Sequence, residues 1–125
     1  MTDASDYDTV LTRALDAWAD GIRKHEPELV ASYFTEDAIF QGFDRTHVVG
    51  RAGVTAYYDK QPVGLDPQFT VLETRELSAD TLLAYVDVDF AVPAGEVIPV
   101  HLTVVLGRFE DSWLIRHYHV SKIGA

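Results

Sequence analysis

The chain contains no cysteine. That excludes disulfides, thiolate nucleophiles and Cys-ligated metals, and it leaves the redox compartment open. Basic residues are scarce: 10 Lys and Arg stand against 20 Asp and Glu, for a formal net charge of −10. Such a surface repels phosphate backbones and anionic bilayers, so neither nucleic acid nor a membrane is an expected partner. No apolar run approaches the ~18 residues of a membrane span. The opening MTDASDYD is acidic and polar, unlike a secretory signal, and a soluble cytoplasmic protein is expected. Also missing are a Gly-rich phosphate loop, a GxSxG elbow and an HExxH pair, so a serine nucleophile has no support. There are no internal repeats and no low-complexity linker.

What is present suits one domain. The 125 residues, 47% of them hydrophobic, are enough for a single core and too apolar for a disordered chain. The reading is one domain over residues 1–125, with 1–6 as a frayed tail. From Tyr7 onward Val10, Leu11, Ala14, Leu15, Trp18 and Ile22 recur at helical spacing and predict a helix ending near Lys24. Pro27 suits the first turn of a second, short helix that would bury Leu29, Val30, Tyr33 and Phe34. A short strand follows near Ala38–Gln41, then a loop over Gly42–Thr46, then a second short strand at His47–Val49. Arg51–Lys60 reads as a third helix with Val54, Tyr57 and Tyr58 on one side. The remainder is rich in β-formers: Phe69–Leu77, Thr81–Val92, Val97–Phe109 and Trp113–Ile123, separated by the turn-forming SAD, PAGE and EDS. Helices first and an antiparallel meander second indicate an α+β fold with helices on one face of the sheet. Long strands in so small a sheet curl, and a curled sheet closed by helices makes a cone.

The last segment, SWLIRHYHVSKI, is bulky on both sides of an extended strand. Strict alternation puts Trp113, Ile115, His117 and His119 on one face and Leu114, Arg116, Tyr118 and Val120 on the other. Such a strand belongs mid-sheet, with one face toward an internal pocket and the other toward a partner. An exposed face carrying Trp113 and Ile115 would be an apolar patch, so a homodimer is expected.

The order of elements, with YFTEDAIFQG, then VVGRAGVTAYYDKQ, then a terminal WLIRHYHVS, resembles the nuclear transport factor 2-like superfamily. Within it the SnoaL-like family and the association domain of calcium/calmodulin-dependent kinase II look closest, over about Tyr7–Ile123. The resemblance implies a cone of curved antiparallel sheet and three helices, a homodimer through the open sheet face, and an apolar pocket. It implies no single function, because members include isomerases, dehydratases, cyclases, hydrolases and non-catalytic domains. Ketosteroid isomerase, a relative, uses a carboxylate base after the first strand, a tyrosine on the first helix and an acidic group on a late strand. Here the matching positions are Gly42, Trp18 and a strand Val97–Phe109 without carboxylates, so that chemistry does not transfer. Asp44, two residues past Gly42, reads as a solvated loop residue.

Asp87, in AYVDVDF, is the catalytic candidate. By alternation it is solvated beside core valines. By resemblance it matches a position where the kinase association domain turns an arginine into its pocket. A carboxylate in an apolar cone would have a raised pKa and suit proton transfer. The other pocket arginines of that domain match Val104 and Val120, which implies a more apolar pocket that disfavours small anions. Trp18, Phe40, Tyr57, Tyr58 and Tyr118 are the ligand-binding candidates, since buried Tyr and Trp need polar partners and a cavity supplies them. His101, His117 and His119 share a sheet face if the EDS turn has three residues, but no carboxylate completes a metal site. No metal and no cofactor are expected. Two functions stay open. One is a small-molecule-binding, acid–base enzyme (isomerase, cyclase, dehydratase or hydrolase) acting on a small apolar molecule. The other is a non-catalytic ligand-binding or oligomerisation domain, favoured if Trp18, Phe40 and Tyr118 fill the cone.

Overall fold

The computed structural model describes residues 4–123. Residues 1–3 of the expected tail lie outside the described residues. Helix α1 spans Ala4–Arg23 and α2 Pro27–Ser32; strand β1 spans Phe34–Gln41 and β2 Val48–Val49; α3 spans Gly50–Asp59. Then come β3 (Asp66–Ser78), β4 (Thr81–Ala91), β5 (Val97–Phe109) and β6 (Ser112–Lys122). The six strands form one open sheet in the order β2-β1-β6-β5-β4-β3. The last four strands are the antiparallel meander read from the turn residues, while β1 returns to lie parallel to β6. This puts β6 mid-sheet. No helix among the described residues is long and apolar enough to cross a membrane.

The helices pack on one face. In α1 the buried stripe is Leu11, Leu15, Trp18, Ala19 and Ile22, as the helical period requires. Its C-terminus is tied to the start of β3: Arg23 Nε meets Asp66 Oδ1 at 2.6 Å, and Arg23 Nη2 donates to the Pro67 carbonyl at 2.7 Å. Helices α1 and α2 approach closely at Gly21, where a Cβ would stand 2.7 Å from Val30 Cγ2. Opposite them, alternation along the long strands turns Leu82, Ala84, Val86, Val88 and Phe90 of β4 and Val100, Leu102, Val104 and Leu106 of β5 inward.

Two sequence expectations change. The second helix stops at Ser32, so Phe34 enters β1 and is fully buried there, while Leu29 is exposed. Helical spacing cannot distinguish a helix from a helix that stops at its last turn and continues as a strand. The second change concerns β6. A bulge leaves Arg116 unpaired between Ile115, opposite Leu106, and His117, opposite Val105. The extra residue reverses the alternation. Ile115 (1% exposed) and Trp113 therefore join Tyr118 and Val120 on the helix-covered side, and Leu114, Arg116, His117 and His119 occupy the open side. The Arg116 side chain lies over Gly107, where a Cβ would come within 2.6 Å of Arg116 Cδ. The expected patch of Trp113 and Ile115 on the open face does not exist.

Candidate functional site

The cone is built from both halves of the chain. Trp18 comes from α1, Phe40 from β1, Tyr57 and Tyr58 from α3, and Tyr118 from β6. The parallel pairing of β1 with β6 puts Phe40 beside Tyr118, and their rings stack at 4.3 Å with planes 9° apart. Phe40 also meets Tyr57 edge-on at 4.7 Å and Tyr58 at 5.4 Å, and Trp18 lies 5.9 Å from Tyr118. All five ligand-binding candidates thus come together. Phe34 and Phe90 complete the cluster. The sequence reading missed Phe34 by placing it on a helix; the β-forming run FTEDAIF was the available signal. Trp18, Phe40 and Tyr118 are each no more than 2% exposed, so the cone interior is occupied by the protein's own side chains.

The cluster has a polar centre. Trp18 Nε1–H donates to the Tyr58 oxygen at 2.9 Å, and Tyr118 O–H donates to the same oxygen. Burial pushes the phenols of Tyr58 and Tyr118 well above the ordinary range. Tyr57 is pushed up to about 12 by burial, although its oxygen accepts the Phe43 N–H at 2.9 Å. Trp18, Tyr58 and Tyr118 carry three protons and share two hydrogen bonds. With the Tyr118 proton given to Tyr58, the Tyr58 proton itself has no acceptor among the described residues. A void of about 10 Å3 touches Tyr58 between Gly21, His25, Val30 and Pro62, room for about one water.

Asp87 is not part of this cluster. Its neighbours Val86 and Val88 point inward, so it lies on the open face. There Asp87 Oδ1 is 2.6 Å from Nδ1 of His101, its cross-strand partner. The pair is poorly aligned as a hydrogen bond, and neither atom has another partner among the described residues. Tyr85 stacks on the His101 ring at 5.5 Å. Reading Asp87 as a carboxylate inside an apolar cone is therefore corrected: the pleat turns it the other way, and it holds an imidazole. Asp44 is an exposed loop residue paired with Lys60 Nζ at 3.1 Å. At Gly42, the position matching the isomerase base, a Cβ would stand 2.5 Å from Tyr57 Cε2. Tyr57 occupies the space that a carboxylate there would need. Among the described residues no group of three His, Asp or Glu side chains is placed to hold a metal ion.

The family model of the SnoaL-like domain matches residues 11–125. The chain belongs to the SnoaL-like domain family. No curated protein matches it significantly. Among solved structures this SnoaL-like domain is similar to a domain of unknown function with a cystatin-like fold from Nostoc punctiforme (TM-score 0.84, 19% identity, covering 99% of this chain and 81% of that one). It is also similar to a ketosteroid isomerase-like protein from Erwinia carotovora atroseptica (TM-score 0.75, 23% identity, 94% and 96% covered). A third likeness is to a protein from Xanthomonas campestris assigned as a calcium/calmodulin-dependent protein kinase II association domain (TM-score 0.78, 16% identity, 98% and 89% covered). At such identities the likeness establishes the fold, a SnoaL-like α+β cone with a curved, unclosed sheet, and leaves the chemistry to the residues.

Proposed function

We propose that this SnoaL-like domain works as a homodimeric, non-catalytic module whose two copies meet through the open sheet face. The observation that carries it is a block of eight positions without formal charge. Across β1, β6, β5 and β4 one row reads Ile39, His117, Val105, Leu83 and the next Gln41, His119, Thr103, Tyr85. In a chain of net charge −10, this is where two like-charged copies can approach. Ile39 is 47% exposed and Tyr85 39%, so apolar surface is there to be covered. Five strands about 4.8 Å apart, with about eleven residues rising ~3.3 Å each, give a face on the order of 700 Å2, near the ~800 Å2 per partner of a stable interface. The association-domain relative makes assembly a reasonable role for the fold. Against catalysis stand the filled cone, the outward Asp87 and the Tyr57 ring against Gly42.

Sedimentation equilibrium tests the proposal. Wild type should weigh twice 13.9 kDa at tens of micromolar. Val105→Glu, at the centre of the block, should be monomeric with an unchanged circular dichroism spectrum. A wild-type monomer would refute it.

A second reading rests on the unaccepted phenolic proton. A small, largely apolar molecule with one acceptor oxygen would satisfy it if the cone opened beside Tyr58, with Trp18, Phe40, Tyr57, Tyr58 and Tyr118 as its walls. Titration with simple phenols and cyclic ketones, followed by tryptophan fluorescence, tests this. Binding lost in Tyr58→Phe supports it, and no response to any probe removes it.

A further inference from the structure

We infer that His117 and His119 make the open-face dimer dissociate in mild acid. The inference rests on the dimer reading and adds its regulation. The two imidazoles are the ionisable centre of the uncharged block, with ring centroids 6.3 Å apart. Their directly paired cross-strand neighbours are neutral. His117 lies between Val105 of β5 and Ile39 of β1, and His119 between Thr103 of β5 and Gln41 of β1. The carboxylate on this face nearest to an imidazole, Asp87 of β4, is taken by His101, one diagonal step from His119. Arg116, which directly precedes His117, and Asp37, two residues before Ile39, line a groove at the edge of the block together with Glu36 and Arg51, so the charges flanking His117 include both signs. Among the described residues no carboxylate is paired with His117 or His119, so their protonated rings have no bound counter-ion there. Burial and the neighbouring His119 already hold the His117 ring below the usual imidazole range.

A second copy seated on the face would remove these rings from water and leave the cations uncompensated. The dimer would then bind fewer protons than two monomers, so its stability is present above the imidazole range and is lost as pH falls through it. One pH unit below its pKa, a histidine that must stay neutral weakens its state about tenfold. Two per copy make four in the dimer. Protonation also reduces the net repulsion between copies of charge −10 and offsets part of that loss.

The test measures the dimer dissociation constant of the full chain at about pH 7.5 and about pH 5.5 at fixed ionic strength, for wild type and for His117→Gln/His119→Gln. Wild type should weaken at least about a hundredfold in acid and the double variant by less than about threefold, with circular dichroism unchanged in both. The double variant corrects for the change in net charge from the other histidines. A wild-type monomer already at the higher pH would overturn the dimer reading and this inference with it. A wild-type dimer equally tight at both pH values, or a double variant that dissociates as readily as wild type, would overturn the inference alone. If the double variant does not pair at all, histidine NMR titration of wild type at low and high concentration decides. Lower imidazole pKa values in the dimer support the inference, and values independent of concentration overturn it.

Discussion

Tyr58→Phe and Tyr118→Phe remove one oxygen each from neighbouring buried sites, yet they should differ in cost. The two tyrosines are 4% and 2% exposed, so each change leaves a similar small void. Their hydrogen-bond roles differ. The Tyr58 oxygen accepts from both Trp18 and Tyr118. Its removal strands two buried donors, at about 1–3 kcal/mol each, partly offset by losing the unaccepted proton of Tyr58 itself. A net loss of ~1–3 kcal/mol follows, on top of the hydrogen bonds themselves. Removing the Tyr118 hydroxyl takes away one donor and leaves Trp18 still bonded to Tyr58, for about 0.5–1.5 kcal/mol. The double variant strands only the Trp18 N–H. It should therefore be more stable than Tyr58→Phe alone by about 1 kcal/mol or more, a second substitution that restores stability. Urea unfolding at one fixed protein concentration, followed by circular dichroism, reads all three. With a slope of roughly 1–3 kcal/mol per molar, the single variants should be separated by on the order of 1 M in midpoint. A double variant less stable than Tyr58→Phe, or a Tyr118→Phe cost equal to that of Tyr58→Phe, would refute the two-donor arrangement.

Alkaline titration should find Tyr57, Tyr58 and Tyr118, three of the six tyrosines, still protonated in the native protein at about pH 11. Because the unfolded chain releases those protons near ~10, stability should fall above that pH by up to ~4 kcal/mol per unit. Phenolate absorbance and unfolding that rise together would show this, and full ionisation of the folded protein would contradict it. Gly42→Ala should lower stability by about 1–3 kcal/mol by driving a methyl into the Tyr57 ring, and an unchanged thermal midpoint would show that Tyr57 yields freely. Asp87→Asn should cost no more than ~1 kcal/mol, since its partner contact is 47% and 39% exposed and screened; a larger loss in urea unfolding would mean that the pair with His101 is structural.

Much of the architecture was legible in the sequence because it depends on local periodicity. The stripe Leu11, Leu15, Trp18, Ile22 specifies a helix face, and the alternation Val86, Val88, Phe90 specifies the inward side of β4. That alternation also placed Asp87 in water; only analogy suggested the cone. The turns SAD, PAGE and EDS separate the strands of the meander, and the aromatic content of the first helix, the third helix and the last strand pointed to the cone lining. Tertiary structure decided the rest, for reasons that are non-local. The bulge at Arg116 depends on how β6 registers against β5, and its one extra residue parts Trp113 and Ile115 from His117 and His119, which strict alternation puts on one face. The parallel pairing that stacks Phe40 on Tyr118 joins residues far apart in the chain, and no pattern within either segment encodes it. The uncharged block of the open face likewise exists only across four strands. Each strand contributes two of its eight positions, and their lack of charge becomes a surface property only when the sheet sets them side by side.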